Sequence, residues 1–151
     1  MITNEQIEAY LLETGRTFTS PEENMWVIQE EDSVVENIVV YKTPPVVTFR
    51  VKLMEMPTGA GRAEVAEKLL RYNASDMVAG AYAIEDESIV IVDTLQLENL
   101  DLNELQASID GLSLAVSMHY NELGQFRDDA GPGQIASMNA FDRALGEGEA
   151  R

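Results

Sequence analysis

With 151 residues, 45% of them hydrophobic and 25% charged, the chain has the length and composition of a single folded domain, which argues against a disordered chain. Its 27 acidic and 10 basic residues give a formal net charge of -17, which disfavours nucleic acid and anionic membranes as partners, and either favours a basic protein surface or only maintains solubility. The absence of cysteine excludes disulfides and thiol chemistry, and together with the lack of a signal-like or membrane-spanning apolar run it predicts a cytoplasmic protein without a membrane partner.

The first predicted element is a short helix that begins after Thr3. Thr3 and Gln6 have the spacing of a capping box, in which each side chain accepts a hydrogen bond from the backbone of the other residue. Ile7 and Leu11 then lie one turn apart on one face. Gly15 predicts the helix end, because glycine readily adopts the left-handed backbone conformation found there.

Three strands are predicted next. The apolar runs 25–29 and 38–41 form the first two, and the segment 20–24 before them has the composition of a turn. The third, over 47–53, alternates between apolar and polar residues, as expected for a strand with one buried and one solvated face. The alternation therefore predicts an antiparallel sheet that packs on one side.

A second helix and two further strands follow. The helix extends over about 61–73 and the strands over about 77–84 and 88–94, with an acidic hairpin loop at 85–87. The small residues at 79–81 would allow a helix to approach this part of the sheet closely.

The last helix has the clearest signal in the chain. Asp101 is a suitable N-cap, and Glu104 stands at the capping-box position three residues later. Apolar residues then repeat at spacings of four and three, as on one face of a helix, and Leu114 widens this face. The members of the repeat are Leu105, Ile109, Leu112, Val116, His119 and Leu123. We expect this stripe to cover the sheet and to contribute a partner or dimer surface.

These elements have the order α-β-β-β-α-β-β-α, which predicts an α+β fold with an antiparallel β-sheet packed by helices. Residues 1–123 form one predicted domain, and 124–151 form a flexible linker and tail. In the tail, Ile135, Met138 and Phe141 have helix-like spacing, so this segment either forms a short docking helix or stays disordered.

The sequence contains no set of residues that would support catalysis. His119 is the only histidine and lies on the apolar stripe, where we expect a packed or interface histidine rather than a general base. The carboxylates at 85–87 lack the spacing of a calcium loop, and the glycines at 131–133 lack the lysine of a phosphate loop. We therefore predict no enzyme activity, no cofactor and no metal site.

Two segments resemble a known family. The run Leu-Leu-Arg-Tyr-Asn-Ala at 69–74 resembles the Leu-Leu-x-x-Asn-Ala signature of the YbjN-like and type III secretion chaperone-like (Tir chaperone-like) families. The run 95–101 is similar to the segment that leads into their last helix, and the resemblance covers about 5–123. It implies the secretion-chaperone fold, a homodimer, and binding of an extended effector segment against apolar patches. It supplies no catalytic residues.

Three functions are consistent with this sequence. The first is a chaperone-like binding module that captures an apolar segment of a partner protein. The second is a structural or regulatory homodimeric module whose tail docks on its own domain through Ile135, Met138 and Phe141. The third, and least favoured, is an enzyme or a carrier of a small ligand.

Overall fold

A computed structural model describes residues 1–29 and 37–127. In this part of the chain, six strands form one antiparallel sheet in the order β1-β2-β3-β4-β6-β5. The helices are α1 (Asn4–Glu13), α2 (Gly61–Ser75) and α3 (Leu102–Leu123), followed by a 3-10 turn (Gly124–Phe126). The strands are β1 (Phe18–Glu22), β2 (Met25–Ile28), β3 (Ile38–Thr43), β4 (Val46–Glu55), β5 (Ala81–Glu85) and β6 (Ser88–Gln96). The predicted α+β class is confirmed.

The alternation along β4 determines which side of the sheet is buried. Val47, Phe49 and Val51 are at most 2% exposed, whereas the polar residues between them are only partly buried. These side chains belong to a single hydrophobic core that also contains the buried apolar side chains of all three helices. Burying a side chain of this size stabilises the fold by roughly 1.5–3 kcal/mol.

Both predicted capping boxes are present. At α1, the Gln6 N–H donates to Thr3 Oγ1 at 3.2 Å, and the Thr3 N–H donates to Gln6 Oε1 at 2.9 Å. At α3, the Glu104 N–H donates to Asp101 Oδ1 at 2.8 Å, and the Asp101 N–H donates to Glu104 Oε1 at 3.2 Å. Each box satisfies two backbone donors that helix geometry leaves without intrahelical partners.

The structure adds a strand that the sequence pattern did not predict. The segment 20–24 has the composition of a turn, yet β1 extends to Glu22 and only Glu23 and Asn24 turn the chain. Asn24 has a φ of 66°, a left-handed conformation that asparagine tolerates better than most residues. β1 carries no alternation of buried and exposed side chains, because four of its five residues are exposed.

The stripe on α3 faces the core of the same chain. All six of its members are at most 7% exposed. Leu114, which was expected to widen this stripe, instead lies on the outer side of α3 and is 46% exposed. Beyond α3, the buried Phe126 packs against Gly61 at the start of α2, so the packed part of the chain continues past Leu123.

The segment before β5 is a loop that packs on α3. β5 begins at Ala81 rather than at 77, and Gly80 adopts a φ of +75°. A Cβ added to Gly111 would lie 2.6 Å from the Cβ of Ala79, far inside van der Waals contact. The small residues therefore bring the loop, rather than a strand, close to the helix.

Candidate functional site

The outer edge of β5 is closed by a side chain of α2. Tyr82 lies opposite Ile91 of β6, and its backbone N–H and C=O point away from β6 toward α2. The Asn73 side chain binds both of them: Oδ1 accepts from the Tyr82 N–H at 2.7 Å, and Nδ2 donates to the Tyr82 carbonyl at 3.2 Å. Asn73 thus takes the place that a neighbouring strand would occupy.

The other edge of the sheet, β1, remains open in the described part of the chain. β1 pairs only with β2, and no strand among residues 1–29 and 37–127 lies outside it. The Gln29 N–H donates to the Thr17 carbonyl at 2.9 Å, so the backbone groups of Thr17 point toward β2. Because this direction alternates along an antiparallel strand, the backbone N–H and C=O of Phe18 point to the outer side. Such an edge is a template for pairing with an extended segment of another chain.

Two carboxylates lie at the turn that ends this open edge, in a part of the chain that is rich in glutamate. Residues 1–29 contain five glutamates and a single basic residue, Arg16, whose guanidinium is 2.9 Å from Asp110. Glu22 and Glu23 are exposed at the turn that ends β1. The edge is therefore acidic, and it would attract a basic segment and repel an acidic one.

An exposed leucine lies on α1, the helix whose Glu8 contacts β2. Glu8 on α1 accepts a 2.9 Å hydrogen bond from the Trp26 indole N–H on β2. Leu12 is one turn further along the same side of α1 and is 68% exposed. Leu12 is therefore an apolar side chain that a partner could contact.

The basic side chains of the described residues already have partners within the chain. Those with carboxylate partners are Arg16, Arg50, Lys52, Arg62, Lys68 and Arg71. Lys42 donates to the Asn4 side chain at 2.7 Å, and Arg127 donates to the Tyr120 carbonyl at 2.8 Å. The charge that remains for a partner is therefore acidic.

A second polar cluster surrounds the buried His119. Its Nδ1 is 2.7 Å from the Tyr82 hydroxyl, and its Nε2 is 2.8 Å from Asp76 Oδ2. The ring of Tyr72 stacks on the imidazole at a centroid distance of 3.6 Å and an interplanar angle of 11°. A neutral imidazole with its proton on Nε2 satisfies both contacts, since it donates to Asp76 and accepts from Tyr82.

The environment of this cluster shifts the pKa values of its members. The hydrogen bond from His119, and secondly that from Ser75, holds the pKa of Asp76 below its usual range. Burial raises the pKa of Tyr82. Burial, followed by the hydrogen bond to Glu122, raises the pKa of Tyr72. Both phenols therefore stay protonated and can donate their hydrogen bonds.

Glu122 extends the cluster to the surface. It accepts from the Tyr72 hydroxyl at 2.5 Å and lies 2.9 Å from Lys68 Nζ. The hydrogen bond from Tyr72, followed by that from Lys68, lowers the pKa of Glu122. The cluster fastens α2, the loop before β5, and β5 to α3, so its geometry supports a structural role for His119.

Sequence reasoning identified one member of this cluster and missed the others. His119 is placed on the apolar stripe as predicted, and it is 2% exposed. Asp76 and Tyr82 precede it by 43 and 37 positions, and no local spacing links residues so far apart. The Asn-Ala signature gave a partial signal, because Asn73 lies one turn from Asp76 and binds Tyr82 directly.

Other features bear on the predicted sites. The stripe residues Leu105, Ile109, Leu112, Val116, His119 and Leu123 are covered by the chain's own core. Ile135, Met138 and Phe141 lie outside the described residues. Among residues 1–29 and 37–127, no group of three or more metal-ligating side chains comes together. No helix in these two ranges is both long and apolar enough to cross a membrane.

The chain matches one protein family model and none of the curated proteins. The model of the family CesT_Tir_1 matches residues 2–129, which is most of the chain. No curated protein sequence gives a match.

Solved structures with the same fold come from several systems. A chain of the heterodimeric ExoU–SpcU complex from the type III secretion system of Pseudomonas aeruginosa is 20% identical, has a TM-score of 0.62, and is matched over 76% of this chain and 95% of its own. YbjN from E. coli is 15% identical with a TM-score of 0.61, over 82% and 93% of the two chains. A chain of the HopA1–SchA chaperone–effector complex is 6% identical with a TM-score of 0.58, over 78% and 91%. At these identities the similarity establishes the fold.

Proposed function

The chain belongs to the type III secretion chaperone family CesT_Tir_1, and we propose that it binds an extended, basic and partly apolar segment of a partner protein along the open edge of β1. It does so without catalysis and in the cytoplasm. The observation that carries this proposal is the difference between the two sheet edges: Asn73 closes the outer side of β5, whereas no strand of the described residues pairs with the outer side of β1.

The backbone of β1 supports binding of an extended segment. A segment that pairs with Phe18 would exchange main-chain hydrogen bonds with it, and such bonds hold a strand whatever its side chains are. Pro21 lacks a backbone N–H, so pairing is limited to the start of the strand. Specificity must therefore come from side chains around a short stretch of backbone.

The side chains beside β1 support a partner with basic and apolar residues. Glu22 and Glu23 are exposed at one end of the strand, and Leu12 is 68% exposed on α1. A segment that alternates lysine with apolar residues would place charge and apolar surface on opposite sides of an added strand. Two chains of the same fold come from complexes, ExoU–SpcU and the chaperone–effector pair HopA1–SchA, which is consistent with a protein partner.

Binding to synthetic peptides tests this function. The probe is a peptide of about ten residues that alternates lysine with leucine or valine, and the matched peptide carries glutamate in place of lysine. We expect the lysine peptide to bind and the glutamate peptide to fail. N-methylation of alternate amides in the lysine peptide should abolish binding if backbone pairing holds it. Binding that is unaffected by N-methylation would contradict the proposal.

Charge reversal distinguishes an effect of the carboxylates near β1 on peptide binding from an effect of the total charge of the protein. Glu22→Lys combined with Glu23→Lys should weaken binding of the lysine peptide by about three- to tenfold. The matched control is Glu64→Lys combined with Glu98→Lys, which makes the same change in net charge at exposed positions elsewhere. Equal loss of affinity in both double variants would show that only the total charge matters.

We further propose that the chain forms a homodimer through α2 and β5. Asn73 fastens these elements together, and each carries an exposed apolar side chain: Leu70 is 69% and Ile84 is 44% exposed. Light scattering should give about twice the chain mass of 16.7 kDa. Leu70→Arg combined with Ile84→Arg should shift the mass to that of one chain, whereas the control Leu12→Arg should not. A mass near 16.7 kDa for the unmodified protein would refute the dimer.

A further inference from the structure

The turn between β1 and β2 contains a residue in the left-handed backbone conformation. Among residues 1–29 and 37–127, the non-glycine residues with a positive φ are Asn24, Asp86 and Asn99. Asp86 and Asn99 are exposed, whereas Asn24 is partly buried and accepts hydrogen bonds from two other elements. Asn24 therefore connects this turn to the rest of the fold.

The hydrogen bonds to Asn24 come from α1 and β3. Its carbonyl accepts from the Lys42 N–H at 2.8 Å, and its Oδ1 accepts from Asn4 Nδ2 at 3.0 Å. The Lys42 ammonium in turn donates to Asn4 Oδ1 at 2.7 Å. Because an ammonium group can only donate, it orients the Asn4 amide so that Nδ2 is available to Asn24. Asn4, Asn24 and Lys42 therefore form one chain of hydrogen bonds, here named the turn network.

The turn network adjoins two exposed carboxylates. Glu22 and Glu23 directly precede Asn24, and both are exposed. Glu22 pairs with Met25 on β2, so only Glu23 and Asn24 connect the two strands. In so short a connection, fixing the backbone and side chain of Asn24 also restricts the backbone of the residues next to it.

We propose that the residues of the turn network are positioning residues for the partner segment, because they hold the backbone from which Glu22 and Glu23 extend. This inference rests on the proposed binding at β1. A carboxylate on a fixed backbone loses less conformational freedom when it binds a basic side chain, so such preorganisation raises the affinity. Asn4, Asn24 and Lys42 act through the two glutamates and need no contact with the partner.

Asn24→Gly removes the side-chain hydrogen bond and keeps the turn, since glycine adopts a positive φ without steric strain. We expect the affinity for the lysine peptide to fall about three- to fivefold. The matched control is Asn99→Gly, at an exposed left-handed position before α3, and it should leave the affinity unchanged. Urea unfolding verifies that both variants fold. Equal affinities of the two variants would overturn the proposal.

Asn4→Ala removes the same hydrogen bond from the other side. Asn4 is the first residue of α1, and alanine is a good helix former, so we expect the helix to persist. The affinity for the lysine peptide should fall by about the same factor as in Asn24→Gly, and the double variant should lose no more than either single variant. An unchanged affinity in Asn4→Ala, or fully additive losses, would overturn the role of this hydrogen bond.

A protein without the two carboxylates distinguishes positioning from damage to β1. In Glu22→Gln combined with Glu23→Gln, the lysine peptide retains its main-chain and apolar contacts, so adding Asn24→Gly should cause no further loss of affinity. The same loss with and without the carboxylates would show that Asn24 supports the backbone of β1 instead, and would overturn this inference alone. If the lysine peptide did not bind the unmodified protein, the proposed function would fail and this inference with it.

Discussion

The side chain of Asn73 acts as a strand neighbour for Tyr82. Its Oδ1 accepts from the Tyr82 N–H at 2.7 Å and its Nδ2 donates to the Tyr82 carbonyl at 3.2 Å. A carboxamide is the side chain that presents an acceptor and a donor in the same arrangement as a peptide group. This contact gives a physical reason for the asparagine in the family signature, since it joins α2 to the sheet and closes one edge.

Asn73→Ala should destabilise the domain by about 1–3 kcal/mol, because it leaves the N–H and C=O of Tyr82 without these partners. Asn73→Asp should also destabilise it, since a carboxylate still accepts from the N–H but repels the carbonyl. Urea unfolding measures both changes. Asn121→Ala, at an exposed position of α3, is the control and should have little effect. Equal losses of stability at positions 73 and 121 would contradict a stabilising role for the hydrogen bonds between Asn73 and Tyr82.

Gly111→Ala should destabilise the domain by about 1–3 kcal/mol through overpacking, although alanine is the better helix former. The added methyl group would lie 2.6 Å from the Cβ of Ala79. Ala79→Gly in the same chain removes that obstacle, so the double variant should recover part of the lost stability. A double-mutant cycle by urea unfolding measures this coupling. Strictly additive effects would show that the two residues do not limit each other.

Local patterns predicted the parts of the fold that local interactions determine. The capping boxes at Thr3 and Asp101 lie within four residues of sequence, and both are present. The stripe on α3 was found because a helix with one buried side repeats every three or four residues. β1 was missed, because an exposed edge strand has no apolar alternation and depends on backbone bonds to β2.

The candidate site was predicted less well, because it depends on which parts of the chain meet. The stripe on α3 has the sequence signature of a surface that packs, and the sequence alone does not distinguish packing on the chain's own sheet from packing on a partner. The open edge at Phe18 and the closed edge at Tyr82 differ only through sheet order and the position of α2. Both depend on contacts between distant parts of the chain.

Stability should depend on the charge of Asp76 in a defined pH range. Hydrogen bonds from His119 and Ser75 lower the pKa of Asp76 from its reference value of 3.8. A carboxyl whose pKa is lower in the folded state stabilises the fold above 3.8, and this contribution is lost as the pH falls through the folded-state pKa. Asp76→Asn should therefore be destabilising at neutral pH, and its difference from the unmodified protein should shrink in acid.

Urea unfolding at neutral pH and at a pH below 3.8 measures this difference. Asp86→Asn on the exposed β5–β6 hairpin is the control, since it removes one carboxylate from a left-handed turn position that asparagine also adopts readily. If the two variants changed stability in parallel across the pH range, the interaction with His119 would not be the cause.

Tyr72 and Tyr82 should remain protonated in the folded protein beyond the usual range for phenols. Burial raises the pKa of both above the reference value of 10.0, and the hydrogen bond to Glu122 adds to the effect at Tyr72. An unfolded tyrosine ionises near 10.0, so the folded state loses stability as the pH rises above that value. Phenolate absorbance should therefore show a late phase that coincides with alkaline unfolding. Tyr72→Phe combined with Tyr82→Phe should remove amplitude from this late phase only, whereas loss from the early phase would contradict their protection by the fold.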